Sequence, residues 1–430
     1  MSEQVETADV IVVGAGPGGS ATAAYLAQHG LDVLLLEKAT FPRDKICGDG
    51  LTPRAVRELI NLGVPTRPED GWHRTRGLRI VGGGVRMELD WPGNETFPPF
   101  GLVRTRMDLD ETLARHAERR GARLLQGMNV SGPILDHRDH IVGVTAKVMG
   151  PNGRATGATR EFRARVVVAA DGNSSRLSLA MDRPKRDDRP MGVAVRSYFS
   201  TPRHDDGYLE SWLELWTQDE AGARHLMPGY GWIFPLGDGT ANVGLGILDT
   251  FKDFGNFDSR EVMRRWVAEM PEDWGFSEET RLAPIRGAAL PMCFNRQPLY
   301  DRGLLLVGDA GGMVNPFNGE GIAEAMEAGR YGAEIIASAL ARATPGETEA
   351  VLRSYPKVMK DALGGYFMLG KQFATLIGHP EVMRLAVRYG LPRKALMRLL
   401  IKIMANLPQE RGGRLDDRVI NALSRMTPAA

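Results

Sequence analysis

The chain has 430 residues, a formal net charge of +1, and a composition of 43% hydrophobic and 25% charged residues. This length allows two or three domains around a large core, and the balanced charge gives no indication of a nucleic-acid partner. Two cysteines, Cys47 and Cys293, are too few for a disulfide framework or for a cluster held by four thiolates, which favours a cytoplasmic protein.

The start of the chain, MSEQVETADV, is acidic and lacks the apolar stretch of a signal peptide. No run of about 18 apolar residues occurs, so a membrane-spanning helix is not expected. Attachment to the inner face of the cell membrane stays open. The histidines are scattered along the chain. His137 and His140 are three residues apart, but no cysteine lies beside them, so no metal site is expected.

The first segment predicts a nucleotide-binding unit made of a strand, a glycine turn and a helix. An apolar strand leads into G-x-G-x-x-G, and a helix through Ala21–Gln28 follows, with Gly30 as its stop signal. Gly14 allows the tight turn, Gly16 lets a pyrophosphate approach the backbone, and Gly19 lets helix and strand pack closely. The cofactor contacts predicted in this segment are Gly14, Ala15, Gly16, Pro17, Gly18 and Gly19.

Glu37 ends the second predicted strand, DVLLLE, 18 residues after Gly19. A carboxylate at this place accepts hydrogen bonds from the ribose of an adenosine that lacks a 2′-phosphate, as in NAD or FAD. Lys38 follows it and is included among the predicted cofactor contacts.

Two later segments distinguish FAD from NAD. RARVVVAADGNSSRLSLA ends a strand at Asp171 and Gly172, and RGLLLVGDAGG ends one at Asp309, before a helix from about Gly319. Both resemble the second and third fingerprints of FAD proteins of the glutathione-reductase structural type. The resemblance implies that Asp309 binds the ribitol and that Gly319, Gly321 and Ile322 face the flavin at the helix N-terminus. The alternative for each aspartate is a helix N-cap.

Arg104 and Arg106, in LVRTRMDLD, both stand where this group of proteins places an arginine near the FAD phosphates. The alternative is a solvated basic helix start. GLRIVGGGVRMELDW predicts a hairpin through Gly82–Gly84. No second G-x-G-x-x-G follows a strand, so electrons would come from NAD(P)H visiting the flavin or from a separate reductase.

Two further motifs carry a family resemblance. KICGDGL contributes Lys45, Cys47 and Gly48, and GYGWIFP places Tyr230, Trp232 and Phe234 on one face of a predicted strand, before Pro235. That face is either a buried sheet face or an apolar wall for a hydrophobic substrate. With the FAD fingerprints, roughly residues 8–345 resemble the geranylgeranyl reductase family, and CGDGLTPRA resembles actinobacterial members that act on the menaquinone tail.

The resemblance implies an FAD-dependent oxidoreductase that saturates a C=C bond of an isoprenoid by hydride from N5 of reduced flavin. The substrate that the resemblance favours is the polyprenyl tail of menaquinone, and the alternative substrate is a geranylgeranyl group. The implied catalytic residues are Cys47, Tyr230 and Trp232, with Cys47 and Tyr230 as candidate proton donors, and the substrate wall is Tyr230, Trp232, Phe234 and Pro235. Cys47 alternatively is an inert small residue beside FAD. The alternative function is a flavin monooxygenase or halogenase.

The predicted fold is α/β, with a discontinuous FAD-binding fold of the glutathione-reductase type, an antiparallel β substrate domain and a C-terminal helical region. The predicted FAD-binding segments are residues 1–75, 104–185 and 296–342. The substrate domain comprises residues 76–103 and 186–295, and the helical region residues 343–430.

The segment 393–407 is predicted to be an amphipathic helix. Its apolar stripe is Leu396, Leu399, Leu400, Ile403 and Leu407, and its basic face is Lys394, Arg398 and Lys402. It docks on the core with a solvated basic face, or it binds an anionic membrane surface.

Overall fold

A computed structural model describes residues 5–218, 222, 224–250, 258–377, 379–409 and 413–427. The strands are β1 (Glu6–Val13), β2 (Val33–Glu37), β3 (Gly50–Leu51), β4 (His73–Thr75), β5 (Gly77–Gly82), β6 (Val85–Asp90), β7 (Gly101–Val103), β8 (Arg123–Gln126), β9 (Met128–Leu135), β10 (Ile141–Met149), β11 (Ala155–Ala169), β12 (Met191–Ser200), β13 (Tyr208–Trp212), β14 (Leu215–Gln218), β15 (Arg224–Met227), β16 (Gly229–Pro235), β17 (Thr240–Leu248), β18 (Arg286–Pro291), β19 (Tyr300–Asp301) and β20 (Leu304–Leu306).

The helices are α1 (Pro17–Gln28), α2 (Pro53–Leu62), α3 (Arg106–Arg119), α4 (Arg176–Ala180), α5 (Ser259–Ala268), α6 (Ile322–Leu340), α7 (Pro345–Leu352), α8 (Tyr355–Met359), α9 (Gly365–Ile377), α10 (Pro380–Leu385), α11 (Lys394–Met404) and α12 (Leu415–Met426). Lys360–Gly364 and Ala386–Gly390 are π-helical turns. Among the described residues, no helix combines the length and the apolar character needed to cross a membrane.

The first sheet has a parallel centre in the order β20-β11-β1-β2-β8. The later residues of β1 and all of β2 are buried on both faces, which explains their continuous apolar runs. The first half of β11 leaves this centre and pairs antiparallel with β10, which pairs with β9. Helices α1 and α6 pack together where a Cβ on Gly329 would lie 2.8 Å from the carbonyl oxygen of Gly18.

The second sheet has seven strands in the order β18-β12-β17-β16-β13-β5-β6. The predicted hairpin is present as β5 and β6, with Gly83 and Gly84 at φ 56° and 74° in its turn. The sequence predicts a wholly antiparallel sheet, and this is wrong at one pair of strands. Strand β5 pairs parallel with β13. The reason is that the β5–β6 hairpin joins the sheet edge from a segment more than a hundred residues earlier in the chain.

The helical character of the C-terminal region is confirmed, and the predicted apolar stripe is buried in part: Leu407 is buried, and Leu400 and Ile403 pack partly against the core. Met397 and Ile401 are buried against Trp91 and its neighbours, whereas Leu396 is 38% exposed. Lys402 was predicted on a solvated basic face, and this is wrong. Its ammonium is buried and lies 2.7 Å from Asp416 and 3.0 Å from Asp417, because these acids of α12 supply the counter-charges.

The α/β fold class is confirmed, and the division into segments remains our proposal. Within it, the predicted segment 76–103 is split between sheets. The strands β5 and β6 join the seven-stranded sheet, whereas β7 pairs with β3 and β4 in a separate three-stranded sheet.

Candidate functional site

A large cavity of about 1210 Å³ lies between the two main sheets and the C-terminal helices. It exceeds the roughly 300–1000 Å³ of an ordinary small-molecule site, so it has room for more than one ligand. The predicted site residues that line it are Gly14, Gly16, Pro17, Gly18, Glu37, Lys38, Lys45, Cys47, Gly48, Arg106, Asp171, Gly172, Tyr230, Trp232, Phe234, Asp309, Gly319, Gly321 and Ile322.

The glycine turn has the local geometry of a phosphate cradle. Gly14 has φ +99°, and a Cβ there would lie 2.4 Å from the carbonyl oxygen of Ala170. Gly16 borders open space, because a Cβ on it would have only the guanidinium groups of Arg43 and Arg106 within 4 Å. Helix α1 begins directly after it with no side-chain cap and no acid in its first turn. Its free N–H groups and the two arginines would therefore hold a pyrophosphate.

Glu37 and the two arginines form a connected group at this cradle. Glu37 accepts a hydrogen bond of 2.9 Å from the backbone N–H of Ala15. Arg43 donates to Asp110 at 2.7 Å, and Arg106 is buried and paired with the same carboxylate at 2.6 Å. These pairs hold both guanidinium groups in place, and they hold the pKa of Asp110 below its usual range despite its burial.

The remaining fingerprints offer further polar groups to a flavin nucleotide. Asp171 and Asn173 each line the cavity with a buried side-chain oxygen that has no protein partner. Asp309 pairs with Lys45 at 3.2 Å. Helix α6 begins after Gly321 without a side-chain cap. Two uncapped helix starts and two unpartnered oxygens fit FAD, which brings a diphosphate, hydroxyl groups and ring N–H donors.

The aromatic strand β16 forms one wall of the cavity. Trp232 lies 6.1 Å, ring centre to ring centre, from both Tyr230 and Phe234, so the three rings follow one face as predicted. The segment KICGDGL, residues 45–51, which we call the cysteine loop, packs against these rings. A Cβ on Gly48 would lie 3.1 Å from the Phe234 ring, and one on Gly50 would lie 2.9 Å from it. The glycines of KICGDGL therefore allow the loop to touch the aromatic wall.

Three polar residues that sequence reasoning missed hold this contact. Asn242 accepts from the indole of Trp232 and donates to the carbonyl of Cys47 and to Asp49. Asp49 also accepts from the hydroxyl of Tyr198 at 2.6 Å. Asp49 is fully buried, which raises its pKa to about 6. Of these three residues, only Asn242 could have been suspected from the sequence, because it is a polar residue in the strand that follows the aromatic motif.

The cysteine thiol is a weak acid in this setting. Cys47 is partly exposed and faces the cavity, and its sulfur accepts a hydrogen bond of 3.4 Å from the backbone N–H of Asp49. Desolvation raises the pKa of its thiol, against the opposing effect of Arg106. Desolvation also raises the pKa of Tyr230, whose hydroxyl donates to the carbonyl of Asn318 at 2.6 Å.

Four of the predicted site residues do not line the cavity. Ala15 and Gly19 support the cradle from behind, since a Cβ on Gly19 would lie 1.8 Å from the carbonyl oxygen of Gly14. Pro235 ends β16 beyond the aromatic wall. Arg104 points away, with its guanidinium 4.6 Å from the centre of the Trp72 ring. Of the two arginines left open by the sequence, we therefore propose Arg106 for the phosphates.

The C-terminal helices complete the cavity, which the sequence did not indicate. Phe373 and Leu376 of α9 and Met397 and Leu400 of α11 line it. The ring of Phe373 lies 5.3 Å from that of Phe317, in the loop before α6. This apolar wall makes most of the cavity beyond the nucleotide cradle suited to a hydrocarbon.

Comparisons with known proteins agree with these features. A family model described as FAD binding domain matches residues 7–357. The menaquinone reductase of Mycobacterium tuberculosis is 38% identical over 402 residues, which cover 94% of this chain and 92% of that protein. The digeranylgeranylglycerophospholipid reductase of Methanocella arvoryzae is 33% identical over 367 residues, with 83% of each chain covered.

The fold is shared more widely. The solved structure of a geranylgeranyl bacteriochlorophyll reductase-like protein from Thermoplasma acidophilum has a TM-score of 0.75 at 23% identity, covering 98% of this chain and 100% of that one. A flavin-dependent brominase has the same fold with a TM-score of 0.70 at 20% identity, so the fold alone does not separate reductase from halogenase. The sequence relatives do, and the chain belongs to the FAD-binding-domain family and, within it, to the geranylgeranyl reductase family of FAD-dependent oxidoreductases.

Proposed function

We propose that this protein is an FAD-dependent reductase that saturates a C=C bond in the polyprenyl tail of menaquinone. One observation carries the proposal: the nucleotide cradle at Gly16 and the aromatic wall at Trp232 belong to the same cavity. Reduced FAD, when bound, supplies a hydride. The protein's part is to lay a chain without polar handles along an apolar surface beside it.

The lining of the cavity suits an isoprenoid chain. Each isoprene unit placed against Tyr230, Trp232, Phe234 and the helix residues removes apolar surface from water, at about 0.8 kcal/mol for each CH₂-sized increment. Flat rings and branched side chains would select the bend of the chain, and so the double bond, by shape. The name of the mycobacterial relative favours menaquinone, and the name of the archaeal relative makes a geranylgeranyl group the second candidate.

The electron donor is proposed to act from outside the fold. The chain contains one G-x-G-x-x-G motif after a strand, at Gly14, and the cradle there is assigned to FAD. NAD(P)H visiting the flavin, or a separate reductase, would then supply the electrons.

We also propose that the C-terminal helices contact the membrane that holds the substrate. Leu385 and Tyr389 are 57% and 50% exposed, and the exposed cations Arg384, Arg388 and Lys394 lie beside them in the segment that runs from α10 to the start of α11. Exposed apolar side chains among cations are typical of a surface that binds anionic lipids. The neighbouring Leu376 and Leu396 are exposed and line the cavity, so lipid and cavity would meet at this surface.

The test is an anaerobic reduction. Purified protein carrying FAD is reduced chemically and mixed with menaquinone, and the tail is examined by mass spectrometry. The proposal predicts a gain of two hydrogens in the tail. A product formed only with oxygen, and carrying added oxygen or halogen, would contradict it and support the monooxygenase or halogenase alternative.

A further inference from the structure

A half-buried carboxyl group in the loop just before α6 has no role in the function derived so far. Glu320 lines the cavity, and both of its carboxylate oxygens lie 2.9 Å from the hydroxyl of Thr52. Its backbone N–H donates to the side chain of Asn318, whose carbonyl accepts the hydroxyl of Tyr230. Asn318 therefore connects Glu320 to Tyr230 of the aromatic wall, near the point where helix α6 begins.

We propose that Glu320 is the general acid that protonates the second alkene carbon, and that Thr52 is the residue that positions its carboxyl group. The inference rests on the proposed reductase function. In the reaction the π bond breaks, and one carbon takes the hydride from reduced FAD. The other carbon takes the proton as the Glu320 O–H bond breaks. The carboxylate that remains accepts a hydrogen bond from the Thr52 hydroxyl and is then protonated again by water.

Acid strength separates Glu320 from the two candidates that the sequence suggested. Desolvation raises the pKa of Glu320 to about 7, with Thr52 and Arg54 opposing the rise. The carboxyl group is thus largely protonated at slightly acidic pH and gives up its proton near neutrality, where general acids are effective. Desolvation moves the pKa values of Cys47 and Tyr230 above the ordinary values of a thiol and a phenol, so both are weaker acids than Glu320.

Desolvation, rather than a neighbouring charge, favours the neutral form of Glu320. Glu324, one helical turn later, is fully buried, and neither of its carboxylate oxygens has a partner. Burial and the nearby Glu320 raise its pKa well above the usual value, which favours its neutral form. The positive charge of Arg54 acts on Glu320, but its guanidinium is paired with Glu327 at 2.6 Å. The side chain facing Glu320 from the substrate sheet is Tyr230.

The experiment compares Glu320→Gln, Thr52→Val and Thr52→Ser, all loaded with FAD, with Glu334→Gln as the control on the exposed face of the same helix. Wild-type kcat is expected to fall as pH rises through about 7. Glu320→Gln should lower kcat at least about 100-fold with KM unchanged, and the remaining kcat should no longer fall as pH rises through about 7. Thr52→Val removes a hydrogen bond to the carboxylate, so the fall in its kcat should occur at higher pH. Thr52→Ser keeps the hydroxyl group and should restore the wild-type pH dependence that Thr52→Val loses, and the control Glu334→Gln should match wild type.

A second measurement does not depend on turnover. The infrared C=O band of a carboxylic acid, taken as the difference between wild type and Glu320→Gln, should titrate near pH 7 and should titrate at higher pH in Thr52→Val. Flavin content and melting temperature exclude misfolded variants. Full kcat in Glu320→Gln, or a Thr52→Val profile identical to wild type, would overturn the proposal. If wild type reduces no isoprenoid bond, the proposed function fails instead.

Discussion

The indole N–H of Trp232 donates a hydrogen bond of 2.9 Å to the side-chain oxygen of Asn242. The amide nitrogen of the same Asn242 donates to the carbonyl of Cys47 and to Asp49, each at 2.8 Å. One fully buried amide therefore joins the aromatic wall to the cysteine loop. The bonds fix the ring that we assign to the substrate relative to the loop that borders the cofactor cradle.

Asn242→Leu should lower turnover by about 10- to 100-fold while FAD stays bound. The substitution leaves the buried Trp232 N–H and Cys47 carbonyl without partners, at about 1–3 kcal/mol each, so the wall loses its fixed orientation. Steady-state kinetics and the flavin-to-protein ratio measure the two effects. Asn152→Leu, in an exposed turn, is the control. Unchanged kinetics would show that the bridge does not position the ring.

Trp232→Ala should also reduce turnover and leave the yellow flavin in place. The side chain is 5% exposed, and its loss opens a gap in the wall that would let the isoprenoid chain shift. Trp232→Phe, which keeps a flat ring, should retain more activity. Loss of FAD together with activity in Trp232→Ala would mean that the aromatic strand belongs to the cofactor site.

Gly19→Ala should abolish flavin binding and destabilise the fold. The added Cβ would meet the backbone carbonyl oxygen of Gly14 at 1.8 Å, and neither atom has a side-chain torsion that could relieve the contact. Gly346→Ala is the matched control, because nothing lies within 4 Å of a Cβ at that helical position. The control should be neutral or slightly more stable, since alanine favours a helix. A yellow, stable Gly19→Ala protein would contradict the proposed role of the turn.

Native protein should resist thiol alkylation at neutral pH. Burial raises the pKa of Cys47, and it raises that of Cys293 to about 12. A raised pKa keeps the thiol protonated, and only the thiolate reacts. Labelling by iodoacetamide should therefore be slow at pH 7 and should accelerate only at alkaline pH. Unfolded protein should label both thiols quickly. Rapid reaction of Cys47 at pH 7 in the folded protein would show a low pKa and reopen its candidacy as a reactive group.

The double variant Leu385→Ser/Tyr389→Ser should bind anionic vesicles about tenfold or more weakly than wild type. Both side chains are exposed and neither lines the cavity, so apolar contact with lipid is lost without a change at the site. Co-sedimentation with phosphatidylglycerol-containing vesicles measures binding. Turnover of a detergent-dispersed substrate should remain.

The control for this surface is Leu282→Ser, a 58% exposed leucine elsewhere on the protein, which should bind as wild type does. Wild-type binding that is equally strong to uncharged vesicles would refute the role of the cations. An absence of vesicle binding by wild type would refute the membrane contact altogether.

The sequence by itself predicted the nucleotide unit, the β5–β6 hairpin and the one-sided aromatic strand. These features depend on short-range rules: the periodicity of apolar residues, the φ angles that glycine permits, and the alternation of side chains along a strand. Gly14 and Tyr230 could be assigned for that reason, because the geometry that defines each lies within a few neighbouring residues.

The tertiary structure alone decided which of these residues meet. Asn242 and Cys47 are 195 residues apart, and Thr52 and Glu320 are 268 apart, so their contacts depend on how whole sheets and helices pack. Packing also turned Arg106 rather than Arg104 toward the cradle, and it buried Lys402 between two acids of a helix that follows it. Local sequence does not encode such choices, because they follow from the summed packing of distant segments.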